Sequence, residues 1–285
     1  MGLSARTPAA ADAAGFVPEV WSNLVLDAVH NQLVCWDAID GRWTVGQKQG
    51  DTINIGIINT VTATEVVVGT KGTALDIATG AKKQLVMNQW YEAPVDIDTM
   101  TIAQSQINWQ AQAQNESAYS IAKIMDTYIA TLFSTLAASK VAGADGNTVD
   151  DELLLEVKQY LDENDVPMDD NRSLIIDPSA LVDLLKIDKF VQAQYVTMGA
   201  IANGKIGKSP IYGCNVLVTN NLVAATTGAY AAMLHRRAIA GAAQIMDTYT
   251  LAYPDLHQVR YSTDVLFGAS EVRDTFGKSF YTRSK

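Results

Sequence analysis

The chain has 285 residues, 48% of them hydrophobic and 18% charged, a balance that suits one large folded unit or two small ones. Its 31 acidic and 21 basic side chains leave a formal charge of −10, which disfavours specific nucleic-acid recognition, because affinity for a phosphate backbone comes largely from Lys and Arg displacing counterions. No apolar run approaches the roughly 20 residues that span a bilayer, and the first fifteen residues lack the apolar middle of a secretion signal, so a cytosolic product without membrane association is expected.

In chain order, residues 1–15 read as a flexible Ala-rich arm. Pro18 then opens a short helix in which Trp21, Leu24 and Ala28 recur at helical spacing. Residues 43–98 turn β-like. In GDTINIGIINTVTATEVVVG, at 50–69, Ile53, Ile55, Ile57, Val61 and Val67 alternate with Thr52, Asn54, Thr60, Thr62 and Thr64. QLVMNQWYEAPVDI, at 84–97, repeats the alternation, and Gly69, Gly72 and Gly80 mark a loop tip between the two runs. The two runs are expected to pair as one long hairpin. A two-stranded ribbon is marginal alone in water, so its apolar face is expected to find its core on another copy of the chain. Glu65, beside three valines, is expected to keep an exposed edge from mispairing.

From Thr101 to about residue 140 the sequence holds neither Gly nor Pro and reads as one long helix of roughly 60 Å at 1.5 Å per residue. Thr101 with Gln104 suggests a capping box. Ile107, Ala111, Ala118, Ala122, Met125, Ile129, Leu132 and Leu136 trace an apolar stripe, although the glutamine-rich first half is too polar for a core. A compact α/β segment follows: a helix from Asp150 to Asp162, a buried strand in SLIID and a helix opened by Asp177 and Pro178. Glycine-broken loops and strands precede a strand in AYAAMLH, and RRAIAGAAQ reads as a short helix. Mixed β and helical signals lead to a final strand in GKSFYTR.

Motifs for chemistry are sparse. A phosphate loop from Gly199 reaches Gly204 and Lys205 but meets Ile206 where a hydroxyl is needed, and from Gly207, Lys208 and Ser209 the first glycine would be Ala202. His30, His235 and His257 are isolated, and Cys35 and Cys214 read as small buried side chains rather than a disulfide. Acidic loops at Asp145 and Asp169 offer oxygen ligands but do not complete a calcium-binding spacing. No nucleophile elbow occurs. No catalytic residue, metal or cofactor is expected, and an enzyme whose groups converge only in three dimensions is the competing class.

The order of parts resembles the major capsid proteins of tailed bacteriophages, the Hong Kong 97 fold, over nearly the full length. The likeness is carried by FVPEVWSNLVLDAV, GDTINIGIINTVTA, NQWYEAPVDID running into AKIMDTYIATL, LLLEVKQYLDENDVPMDDNRSLIIDPSALVDLLK and GKIGKSPIYGCNVLVTNNL. The resemblance implies an α+β fold divided into an N-terminal arm and short helix at 1–42, an extended β-hairpin loop at 43–98 and the spine helix of a peripheral domain at 99–149. An α/β axial domain at 150–245 and a C-terminal return to the β-rich peripheral domain at 246–285 complete it.

The implied function is a structural subunit that self-assembles as pentamers and hexamers into an icosahedral capsid around double-stranded DNA, held without sequence-specific binding. A bacterial encapsulin-like compartment is the alternative. Expected partners are further copies, a separate scaffolding protein, a portal protein and decoration proteins, with assembly in the host cytoplasm. Expected subunit-contact residues are Ile53, Ile55, Ile57, Lys71, Lys82, Lys83, Trp90 and Tyr91. Some relatives crosslink an extended-loop lysine to another subunit's asparagine, and Lys71, Lys82 and Lys83 fall in that region, with solvated charges the simpler reading.

Overall fold

The computed structural model describes residues 33–44, 52–58, 65, 80–104, 109–187 and 211–283. The arm, the helix expected from Pro18, most of the hairpin's far end with Lys71, and the glycine-rich stretch at 199–210 lie outside the described residues. The strands are β1 (Thr52–Ile58), β2 (Gly80–Val86), β3 (Gln89–Asp98), β4 (Arg172–Ile176), β5 (Asn215–Val218), β6 (Tyr230–His235), β7 (Ile239–Tyr253), β8 (Gln258–Glu271) and β9 (Gly277–Tyr281). The main helices are α1 (Thr99–Gln104), α2 (Trp109–Thr131), α3 (Asp151–Glu163) and α4 (Pro178–Leu184).

Three sheets result: β1–β2 alone, β3–β8–β7, and β5–β4–β6–β9. The last is the α/β part. Its strand β4 is buried at every position, runs parallel to β5 and antiparallel to β6, and supplies Leu174 and Ile175 to a core shared with Phe133, Leu136, Met233 and Phe280. Leu154, Val157 and Leu161 give α3 its buried face. Local chemistry starts both helices where the sequence indicates. The Asp150 carboxylate accepts from the Leu153 N–H at 3.2 Å, and the Asp177 carboxylate accepts from the Ala180 N–H at 3.2 Å with Pro178 in the first turn.

Several expectations are corrected. The second apolar run does not form one hairpin strand; it divides at Met87 and Asn88. β2 pairs with β1, with Ile53 opposite Leu85 and Ile55 opposite Lys83, while β3 leaves to pair antiparallel with β8. Gly80 opens β2 rather than sitting in a loop. The C-terminal region also divides, since β8 joins β3 and β7 whereas β9 completes the α/β sheet beside β6.

Within RRAIAGAAQ, strand β7 starts at Ile239 after a turn, and no helix forms. Ile239 belongs to the main core and Gly241 lies against Ile39 and Trp36, whereas Ala240 and Ala242 face the ribbon. Both faces are covered at the strand's start, so Ile239 to Ala243 are all apolar and show no alternation. Tertiary packing overrides the helix propensity of its alanines.

Helix α1 begins at Thr99, before the expected capping box. The Thr99 N–H and Oγ1–H donate to the His257 carbonyl at 2.8 and 2.7 Å, tying the helix start to the β7–β8 turn. Helix α2 gives way to a 3-10 turn at Leu132–Thr135, and positive φ at Ala137, Ala138 and Ser139 ends the run. The expected stripe is misplaced in the first half of α2. Ala111 and Ala118 are exposed, while Ala113, Ser117 and Ile121 are buried one turn apart. The small Ala113 and Ser117 let the helix settle onto β3 and β8, where Ile121 packs beside Val265 and Phe267 and Ala113 beside Ile97 and Tyr261.

Candidate assembly interface

The β1–β2 ribbon is rooted on the body by its own side chains. Ile53, Ile55, Leu85 and Met87 are buried against Ala240 and Ala242 of β7, with Trp43, Leu266 and Val272 packed around them. This corrects the expectation that the core for Ile53 and Ile55 comes from another copy: the nearby β7 covers them in cis, and Ile57 is half-buried. Gly268 of β8 allows the close approach. A Cβ there would lie 2.1 Å from the Val86 carbonyl oxygen and 2.9 Å from the Met87 Cα, both backbone atoms of the descending ribbon.

The opposite ribbon face carries Asn54, Gly56, Lys82 and Gln84, all exposed, with Gln84 Nε2 donating to Asn54 Oδ1 at 3.2 Å. Lys82 and Lys83 thus sit on a strand, opposite Gly56 and Ile55, rather than at a loop tip. Lys83 Nζ lies 3.7 Å from Asp274 Oδ1, an exposed pair that bridges ribbon and body. Beside it, Glu271 has Oε1 buried without a hydrogen-bond partner. Burial and the neighbouring Asp274 carboxylate push the Glu271 carboxyl up to about 7, opposed only in part by Lys83.

The β3–β8–β7 sheet offers a second surface. Glu92 accepts from Ser262 Oγ at 2.7 Å and from the Tyr249 hydroxyl at 2.9 Å, and the Ser262 and Tyr249 bonds hold its carboxyl below the usual range. Arg260 grips Asp96 through Nε and Nη2, both at 2.7 Å, and stands 5.1 Å from the Tyr253 ring centroid. Trp90 is 66% exposed, and Met100, Leu251 and Leu256 are exposed as well. Tyr91 is only just exposed, since its ring stacks on Phe267 with centroids 5.8 Å apart.

The polar groups singled out by sequence have structural partners. Asp145 accepts from the N–H groups of Gly228, Thr226 and Thr227, which hold its carboxyl low. Asp169 accepts from Asn171 and contacts His235 Nε2 at 3.1 Å. Burial lowers the His235 pKa despite that carboxylate, and His257 occupies a left-handed turn position. Cys35 and Cys214 are free and buried. Among the described residues, no three His, Cys, Asp or Glu side chains gather to hold a metal ion, and no helix is long and apolar enough to cross a membrane. Sequence reasoning missed Asp126, Glu271, Arg237 and Arg273. Each lies in a stretch without a motif, and only folding brings it beside its neighbours.

The family model described as phage capsid protein matches residues 42–260. Among solved structures, one from Mycobacterium phage Che8 is similar at 19% identity and a TM-score of 0.75, covering 93% of this chain and 97% of that one. The capsid structure of the cyanophage P-SCSP1u is similar at 16% identity and a TM-score of 0.77, covering 100% and 98%. The bacteriophage PhiM1 mature capsid gives 15% identity and a TM-score of 0.69, covering 93% and 92%. A comparison with curated proteins finds no match. With a mixed helix and sheet fold that aligns end to end with capsid subunits and a family match across most of its length, the chain belongs to the phage capsid protein family, as a structural subunit of a capsid shell.

Proposed function

We propose that this subunit builds the icosahedral shell of a tailed phage around double-stranded DNA, using the division of labour of the Hong Kong 97 fold. The observation that carries the reading is the β1–β2 ribbon, a sheet of its own whose root is buried on the body while its outer face is polar and exposed. On this reading residues 43–88 form the extended loop that lies over a neighbouring subunit. Helix α2 is the spine, and it forms the peripheral domain with β3, β7 and β8. The axial domain comprises α3, α4 and the β5–β4–β6–β9 sheet.

Ile57, Lys71, Lys82, Lys83, Trp90 and Tyr91 are the proposed subunit-contact residues, with Ile53 and Ile55 anchoring the ribbon from which several of them project. The subunit has no enzymatic role. Its net charge of −10 suits a wall that encloses DNA without adhering to it. A separate scaffolding protein, a portal and decoration proteins are the proposed partners, and assembly takes place in the host cytoplasm before the shell enters the virion.

Electron microscopy of purified protein, alone and co-expressed with a scaffolding protein, tests this. Closed shells are expected. A variant lacking residues 70–79 should remain a folded, soluble subunit that forms none. Small monodisperse oligomers of the unaltered chain under every assembly condition would overturn the reading, and full-strength shells from the deletion would overturn the ribbon's role in it.

A further inference from the structure

A cleft of about 290 Å³ lies at the ribbon root, where β1 passes the start of β7 and the end of β8. Three guanidiniums line it: Arg42, Arg237 and Arg273. Arg42 is neutralised by Asp40, donating from Nε to Oδ1 at 2.8 Å and from Nη2 to Oδ2 at 2.6 Å. Arg237 and Arg273 are exposed and have no carboxylate partner among the described residues. The Arg273 guanidinium stands 4.9 Å from the Phe276 ring centroid, a contact that orients the charge without cancelling it. The cleft therefore holds two cations in excess, on a chain whose formal charge is −10.

We infer that this cleft receives a carboxylate-bearing segment of a second copy of the chain. The inference rests on the shell-forming reading, which brings copies side by side. Guanidinium forks match carboxylates in bidentate geometry and are less strongly hydrated than ammonium groups, which suits a contact that excludes water. Trp43, Ile57 and Val272 supply an apolar wall, useful to a peptide side chain and of no use to a phosphodiester.

Each copy displays a segment of the required chemistry. Met168 is 63% exposed, and the exposed Asp165 and Asp170 flank it.

The test uses Arg237→Lys and Arg273→Lys subunits, half of them labelled with ¹⁵N, assembled together and treated with a carbodiimide that joins an amine to a carboxylate in contact. Crosslinked peptides pairing position 237 or 273 of one isotope with an acidic residue of the other are expected. An Arg237→Glu/Arg273→Glu subunit should keep its thermal transition and need about tenfold more protein to assemble. Absence of mixed-isotope pairs overturns the inference, as does unchanged assembly of the double variant. DNA retention lost by that variant while its shells still form assigns the cleft to phosphate and also overturns it. These failures are separable from failure of the shell-forming reading, in which the unsubstituted chain forms no shell and the inference falls with it.

Discussion

Cys35 and Asp126 stand 91 positions apart, and the backbone N–H of Cys35 donates to Asp126 Oδ1 at 2.7 Å inside the core. Asn221 Nδ2 donates to the other carboxylate oxygen at 3.1 Å. One buried carboxylate on α2 thus joins the segment before the ribbon to the loop after β5. Replacing Asp126 with leucine would remove the acceptor used by two buried donors, at about 1–3 kcal/mol for each left unpaired. We expect Asp126→Leu to lower subunit stability by about 3 kcal/mol, read from urea unfolding of the unassembled protein. A loss below about 1 kcal/mol would show that the three groups find other partners.

Gly268 governs how the ribbon meets the body. Any side chain there collides with the backbone at Val86 and Met87, and neither can rotate away. Gly268→Ala should therefore shift β2 off its seat on β8. The predicted phenotype is a subunit with near-normal secondary structure by circular dichroism, faster amide exchange at 80–86 and poor shell formation. Unchanged exchange in that segment would contradict the role given to this glycine.

Glu271 makes the ribbon root sensitive to pH. Its carboxyl titrates near 7 in the folded chain against about 4.5 for an ordinary glutamate, so the folded state holds the extra proton between those values. Its contribution to stability is full below about 4.5 and is lost as pH rises through about 7. Glu271→Gln mimics the protonated form. It should raise the melting temperature at pH 8 by about 2–4 °C and make little difference at pH 4. A constant difference across that range would mean that the carboxyl titrates normally.

Both thiols should be inert in the native subunit. Burial pushes Cys214 up to about 11 and Cys35 further still, with the Asp126 carboxylate adding to the effect at Cys35. Reaction requires the thiolate, so iodoacetamide at pH 8 should label neither residue until denaturant is added. Mass spectrometry after a short pulse reads this directly. Rapid native labelling of Cys35 would place it at an opening segment rather than in the core.

Much of the fold was readable because its signals are local. Asp150, Asp177 and Pro178 open their helices through bonds and dihedral limits that span only a few residues. The alternation of Ile53, Ile55 and Leu85 identified a ribbon because one face of each strand is buried and the other wet. The start of β7 was misread for the opposite reason: with both faces covered, alternation disappears and only composition remains. Ser117 was missed on α2 because a small polar residue can occupy a close helix–sheet contact as well as an alanine can.

The sequence by itself determined the element types over most of the described chain and the order of parts that resembles a capsid subunit. Tertiary structure decided which strands pair, and hence that Ile53 and Ile55 are covered by their own chain, that β9 closes the α/β sheet, and that Arg237 and Arg273 share a cleft with Arg42. Helix caps and side-chain alternation act over a few residues and leave a trace in the sequence. Strand pairing and charge convergence join residues far apart along the chain, through contacts whose energy depends on distances that exist only after folding.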